Sequence, residues 1–266
     1  MLTPSIMKSL LIILPSRGRP DRIQECLDSY IMTTSGEFSE ISVQLDHNDP
    51  KIDEYKKVLK KYEGRVSYDI CRRPSDNPKV YCITRIINRK FYTDNNRDYY
   101  CVINDDMVFE TVDWDKKLAI EWAISTCREP NMLAKHGEWK GNTPIAGFPI
   151  ISVIDGRICR EIGWLQMPEL DGCCGDNCWF LIGLQAKNLL YNPDVVFYHN
   201  HQSFGKAEMD DTYSPVYGDN NAGAMEDYRR HCDWARYRMN KVIKSIRQLI
   251  EKNIGNKQEE LCTALQ

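Results

Sequence analysis

Short apolar runs alternate with amphipathic stretches through the first 110 residues, and that alternation constrains the fold more than any other feature of the chain. Ser9–Leu14 (SLLIIL), Ile41–Leu45 (ISVQL), Val66–Ile70 (VSYDI) and Tyr99–Ile103 (YYCVI) are of strand length and rich in apolar residues. Between them, DRIQECLDSYI, IDEYKKVLKKY and VYCITRIINRKFY carry apolar residues at helical spacing. In the second, Ile52, Tyr55, Val58, Leu59 and Tyr62 share one face. Strands with little polar alternation are buried on both sides. Joined by helices of this length, they predict an α/β fold with a mostly parallel, doubly wound central sheet and flanking helices.

After Glu110 the regularity loosens. Asp115–Cys127 reads as a helix, and a polar segment containing Gly and Pro then leads to AGFPIISVI, which can return to the sheet. DNCWFLIGLQAKNLL, residues 176–190, reads as one helix, and Asp194–Tyr198 (DVVFY) as a strand. Residues 202–221 have no defensible period and read as a long loop of the kind used as a lid. From Met225 onward the chain is helical and basic, with Met239, Val242, Ile243, Ile246 and Leu249 as an apolar stripe and the last dozen residues frayed. The expected organisation is one domain over residues 1–225 and a basic helical extension over 226–266.

Bulk properties exclude several classes. A net charge of −3 and pI near 6.0 argue against a surface built wholly for nucleic acid. No stretch reaches the length needed to span a bilayer, and mean hydropathy is −0.51. Eleven cysteines without a disulfide-like spacing, and an apolar run too short for a secretion signal, suggest a reducing, cytoplasmic setting. Cys173, Cys174 and Cys178 lack a fourth zinc ligand at motif spacing and read as buried thiols.

Three polar clusters each follow a strand: PSRGRP after the first, DHNDP after the second and NDD after the fourth. In a parallel sheet they share the rim where ligands bind. Arg17 and Arg19 offer guanidinium forks for phosphate or a base edge, and Gly18 permits close backbone approach. Asp46 can accept hydrogen bonds from a base or ribose. Asp105 and Asp106 are hard oxygen ligands suited to Mg²⁺ or Mn²⁺. Together these describe a nucleotide diphosphate site, although neither GxxxxGK[ST] nor GxGxxG is present.

The order of these motifs resembles the GT-A nucleotide-sugar glycosyltransferases, family 2 type, over most of residues 8–201. ILPSRGRP looks like the first strand and loop of that family, VQLDHNDP its second, and VINDDM its D-x-D element. The resemblance implies a GT-A (Rossmann-like) fold, a nucleotide diphosphate sugar donor with uridine foremost, and Mn²⁺ or Mg²⁺. It assigns Pro15, Ser16, Arg17, Arg19, Asp46, Asn104 and Asp105 to the donor. Asn104 stands where the first acid of the element would be, suiting a ribose hydroxyl better than a metal, so Asp106 carries the metal. GDNCWF looks like the acceptor-side acidic motif, with Asp176 as base and Asp171 as second choice; helix capping is the alternative role for Asp176. YHNH implies a further metal ligand, His199 or else His201. Lys206, in the expected lid, can reach the diphosphate.

Competing readings are a nucleotidyltransferase, a phosphoesterase built on Asp105, Asp106, His199 and His201 with two metals, and a nucleotide-binding module without turnover. For the transferase reading, the resemblance implies a hydroxyl acceptor, on a glycan or another molecule. Arg229, Arg230, Arg236, Arg238, Lys241, Lys244 and Arg247 form either a solvated helix face or a docking surface for an anionic acceptor, a flipped hydroxylated DNA base included.

Overall fold

Parallel pairing follows the alternation in the sequence. The computed structural model describes residues 9–72, 83–125, 132–135, 151–187, 189–191, 194–200 and 214–264. Strands β1 (Leu10–Ser16), β2 (Ser39–Asp46), β3 (Ser67–Cys71) and β4 (Tyr99–Val102) run parallel in the order β3-β2-β1-β4. β5 (Met107–Phe109) leaves that sheet, while β6 (Met132–Lys135), β7 (Ile151–Asp155) and β8 (Leu189–Tyr191) extend it to seven strands as β4-β7-β6-β8. β7 is antiparallel to both neighbours, so the sheet is mostly parallel, as expected. β9 (Phe197–His199) pairs antiparallel with β5 as a separate ribbon.

The helices are α1 (Pro20–Thr33), α2 (Ile52–Leu59, continued by a 3-10 turn at Lys60–Tyr62), α3 (Ile83–Thr93), α4 (Trp114–Ser125), α5 (Gly156–Ile162), α6 (Gly175–Ala186), α7 (Ser214–Tyr237) and α8 (Met239–Ala264). They divide between the two faces because β1 is buried along its whole length and alternates its side chains. Leu10, Ile12 and Leu14 join α1, α2 and Trp114 in one core; Leu11 and Ile13 join α3, α5, α6 and the C-terminal helices in the other. Tyr99 and Tyr100 of β4 split in the same way. Fully burying one such aliphatic side chain contributes about 1.5–3 kcal/mol, so β1 alone is a major source of stability.

Four local expectations are corrected. The helix opened at Asp176 stops at Ala186, where Lys187 takes φ 57°, and Leu189–Tyr191 become β8. Residues 214–221 of the expected loop belong to α7, and the tail expected to fray is helical to Ala264. The polar segment after α4 contains β6, whose four residues MLAK are too short to give a period. Position 225/226 falls inside α7. Trp234 of α7 and Ile243 and Ile246 of α8 lie in the second core, with Trp234 edge-on to Trp164 at 6.3 Å.

Candidate active site

The three polar clusters meet at the C-terminal rim of the parallel strands. Gly18 sits at φ 73°, a left-handed conformation that suits glycine, and its N–H donates to the Asp49 carboxylate at 2.7 Å. This bend turns β1 into α1, whose Pro20 at the first position supplies a preset helical φ. It also returns Arg19 beneath the rim, where it is 8% exposed. A directed chain of hydrogen bonds then follows. The Arg19 N–H donates to the Tyr55 hydroxyl at 2.7 Å, and Ser16 Oγ donates to Asp105 at 2.6 Å. Ser16 has only one proton, so Tyr55 must be the donor in the 2.7 Å contact between the two hydroxyls. Arg19 Nη1 completes the circuit at 3.2 Å from the other Asp105 oxygen.

The adjacent carboxylates have separate tasks because they occupy the middle of a tight turn. Met107 N–H donates to the Asn104 carbonyl at 3.2 Å, folding β4 back into β5 and leaving Asp105 and Asp106 at the bend. Asp105 faces Arg19 and Ser16. Asp106 faces β9, where His199 Nε2 lies 3.1 Å from its carboxylate and Asn200 N–H donates to its carbonyl at 2.8 Å. Burial pushes the Asp105 carboxyl up to about 6, with Arg19 opposing the rise and Asp106 adding to it. Asn104 is exposed at the tip.

Arg17 and Asp46 form a second group on this rim. Arg17 Nη1 donates to Asp46 at 3.0 Å and to Asn48 Oδ1 at 2.9 Å. Pro15 is buried within β1 opposite Gln44.

On the other side of Asn104 and His199 lies a cavity of about 310 Å³, with Ile87, Trp179 and Gln166 in its wall and Asp176 at the start of α6. Burial raises the Asp176 carboxyl above the usual range; the Asn177 N–H, donating to it at 2.8 Å, and the charge of His199 oppose the rise. A Cβ at Gly175 would fall 1.8 Å from Gln166 Nε2, so any side chain there would require the Gln166 amide to move. Asp171 does not join Asp176: it is not among the residues lining this cavity, and its carboxylate pairs with Arg230 at 2.6 Å. Among the cysteines, Cys173 and Cys174 line the cavity, and Cys178 Sγ is buried 3.1 Å from His231 Nδ1. His201 and Lys206, with most of the expected lid, lie outside the described residues.

As a metal site, Asp106 in the turn before β5 and His199 at the end of β9 supply one carboxylate and one imidazole. That donor pair suits Mn²⁺ and, less well, Mg²⁺, which prefers oxygen alone. No group of three His, Cys, Asp or Glu capable of holding a metal is found among the described residues. The pair therefore fits a metal whose remaining ligands come from elsewhere, such as diphosphate oxygens and water.

Four positions that hold the site escaped the sequence reading. Tyr55 was visible only as a core position on an amphipathic helix. Gln166, Asn88 and Asp227 belong to no motif. Asn88 accepts from the N–H groups of Leu165 and Gln166 at 3.0 and 2.9 Å and donates to the Gln166 carbonyl at 2.6 Å.

No family model matches the chain, and no curated protein matches it in sequence. Solved structures do share its fold. S. aureus TarS 1–349 in complex with UDP-GlcNAc aligns with a TM-score of 0.54 and 12% identity over 86% of this chain and 74% of that one. The mannosyltransferase PcManGT from Pyrobaculum calidifontis, in complex with GDP-Man and Mn²⁺, aligns with a TM-score of 0.56 and 8% identity over 98% of this chain and 81% of that one. The fold is thus the GT-A glycosyltransferase fold that the motif order implied.

Proposed function

We propose that the chain is a metal-dependent glycosyltransferase that moves a sugar from a nucleotide diphosphate sugar to a hydroxyl acceptor. The observation that carries this reading is the tight turn at Asn104–Met107. It sets Asp105 into the buried Arg19 and Ser16 network, Asp106 against His199, and Asn104 at the mouth of a cavity walled by Asp176. Sugar-sized space, a carboxylate and an imidazole able to share one cation, and a carboxylate of raised basicity then adjoin one another on a rim suited to a nucleotide.

Asp46 and Arg17 would face the base. A carboxylate accepts only, so it can meet the ring N–H of uracil or guanine or the exocyclic amine of cytosine or adenine, and it does not choose among them. The motif order and the donors bound by the structural neighbours support UDP or GDP sugars, with uridine the first choice. Asn104 suits a ribose hydroxyl. Asp106 and His199 would hold Mn²⁺ or Mg²⁺, which supplies charge neutralisation for the departing diphosphate. Asp176 would accept the proton of the acceptor hydroxyl as its oxygen bonds to the anomeric carbon and the bond to the diphosphate breaks. Its raised proton affinity suits that role.

The test is a thermal-shift panel of UDP, GDP, CDP, ADP and dTDP and their sugar conjugates, each with Mn²⁺ or with chelator. A ligand at 100 times its dissociation constant adds about 2.7 kcal/mol of stability. A Mn²⁺-dependent shift with UDP or GDP and the matching sugar conjugate is expected. A shift only with nucleoside triphosphates would favour nucleotidyl transfer, and one with metal alone would favour phosphoester hydrolysis.

A further inference from the structure

The loop that carries the cavity wall into α6 is fastened from far along the chain. Asp227 of α7 is 4% exposed, and its carboxylate accepts three consecutive backbone N–H groups: Asp171 at 3.0 and 3.2 Å, Gly172 at 2.9 Å and Cys173 at 2.8 Å. One turn later Arg230 grips the same loop from outside. It donates to the Asp171 carboxylate at 2.6 Å and to the Glu169 carbonyl at 3.4 Å, and lies 3.6 Å from Asp227. A spacing of three puts both side chains on one helix face.

Merely docking α7 does not require this arrangement, because Trp234 already seats the helix against Trp164 in the apolar core. The three N–H groups belong to the residues just before α6, and Gly172, Cys173 and Cys174 line the cavity beside Asp176. Cys174 also takes φ 63°, a conformation costly for a residue with a side chain, and such strain persists only where the surroundings over-determine it. A buried carboxylate collecting three amides supplies that determination, since charge-assisted hydrogen bonds are short and directional.

We infer that Asp227, supported by Arg230, is a positioning residue: it fixes the backbone of residues 171–173 and thereby where the Asp176 carboxylate meets the acceptor. The inference rests on Asp176 acting as the base. It makes α7 part of the scaffold of the active site without bringing either residue to the substrate.

The decisive variant is Asp227→Asn, which keeps the shape but replaces one acceptor oxygen with a group unable to accept an N–H. Amide hydrogen exchange at residues 171–173 should accelerate at least tenfold while β1 and β4 amides keep their rates. Mn²⁺-dependent binding of UDP or GDP should stay within twofold of wild type. Release of the nucleotide diphosphate from UDP-GlcNAc or GDP-Man, whichever the wild type binds, with water as acceptor, should show kcat reduced at least tenfold at unchanged donor KM. Arg230→Gln, which leaves no buried group unpaired, should give a smaller fall of the same kind and serves if Asp227→Asn fails to fold. Unchanged exchange at 171–173 overturns the inference, as does faster exchange with unchanged kcat. A joint loss of donor binding, kcat and thermal stability overturns it too, since it would mark a merely structural role. If the wild type binds no nucleotide and releases none, the transferase reading falls instead, and the exchange experiment still reports whether Asp227 holds the loop.

Discussion

On either side of Asn104, the two walls of the candidate site are held by different kinds of contact. On the rim at the ends of β1 and β2, most bonds join side chain to side chain, Tyr55 to Ser16, Ser16 and Arg19 to Asp105, Arg17 to Asp46 and Asn48, with only the Gly18 and Arg19 N–H groups held by Asp49 and Tyr55. On the wall beyond Asn104, side chains hold backbone: Asn88 fixes Leu165 and Gln166, and Asp227 fixes residues 171–173. The first wall carries its chemistry in residue identity, set at the ends of strands whose register fixes their separation. The second carries it in the path of the chain, which places one carboxylate, Asp176, at the start of a helix. Substitutions should therefore act differently on the two walls.

Asp106→Ala should have the largest effect. Losing only a hydrogen-bond partner of a metal ligand costs about 10–100-fold in metal affinity, so losing the carboxylate itself should exceed that range. Mn²⁺-dependent nucleotide binding should vanish in a thermal-shift titration, and normal binding would move the metal and donor away from β5 and β9. Asp176→Asn should leave that titration unchanged while lowering turnover by about 10²–10⁴-fold, the usual contribution of a positioned base. A variant impaired in binding to the same extent as in turnover would assign Asp176 to the donor rather than the acceptor.

A sharper contrast comes from Tyr55→Phe and Asn88→Ala. The first orphans the buried Arg19 N–H, at a cost of about 1–3 kcal/mol, and takes one of two partners from Ser16, which keeps Asp105. Its effect should appear in donor affinity. The second orphans the N–H groups of Leu165 and Gln166 beneath the other wall. It should lower unfolding stability by a similar amount per group and reduce turnover with donor affinity intact. If both variants raised donor KM alike, the two walls would be one mechanical unit and the contrast would fail.

The same distinction explains what the sequence made legible. Strands β1 and β4 announced themselves as unbroken apolar runs and β2 by the apolar Ile41, Val43 and Leu45 at alternate positions, and the acids and arginines that follow are conspicuous at a sheet's carboxyl rim. Asn-Asp-Asp at a strand end is a common turn former, but that this turn sends Asp105 and Asp106 to different partners was not legible, because β5 is only three residues long. β8 was absorbed into a helix because LLY continues the apolar pattern of α6 across Lys187. Asp171 stood second to Asp176 as an acid near a helix start, and its absence from the cavity lining and its pairing with Arg230, 59 residues further on, separate the two. Asp227 carried no signal, since a buried carboxylate serving distant amides has no local spacing.

The smallest effect is expected where the sequence appeared most charged. Seven basic residues between positions 229 and 247 seemed to be opposed by Asp233 alone, which left an anionic partner as one reading. The fold brings other acids to them. Arg229 pairs with Glu226 as well as Asp233, Arg230 with Glu226 and Asp171, and Arg238 with Glu169. Arg236 lies 5.8 Å from the Tyr237 ring centre, and Arg247 donates to the Gln185 carbonyl at 2.7 Å. Exposed pairs of this kind contribute little and are screened by salt. Arg229→Ala, at a position 64% exposed, should leave the unfolding midpoint and the donor titration unchanged at both low and physiological ionic strength. Arg230 belongs to the same stripe, yet it grips the loop before α6, so Arg230→Gln should reduce turnover where Arg229→Ala does not. Equal effects from the two would mean that the stripe acts through its summed charge, and the docking reading for an anionic acceptor would then gain over that of a helix face with local pairs.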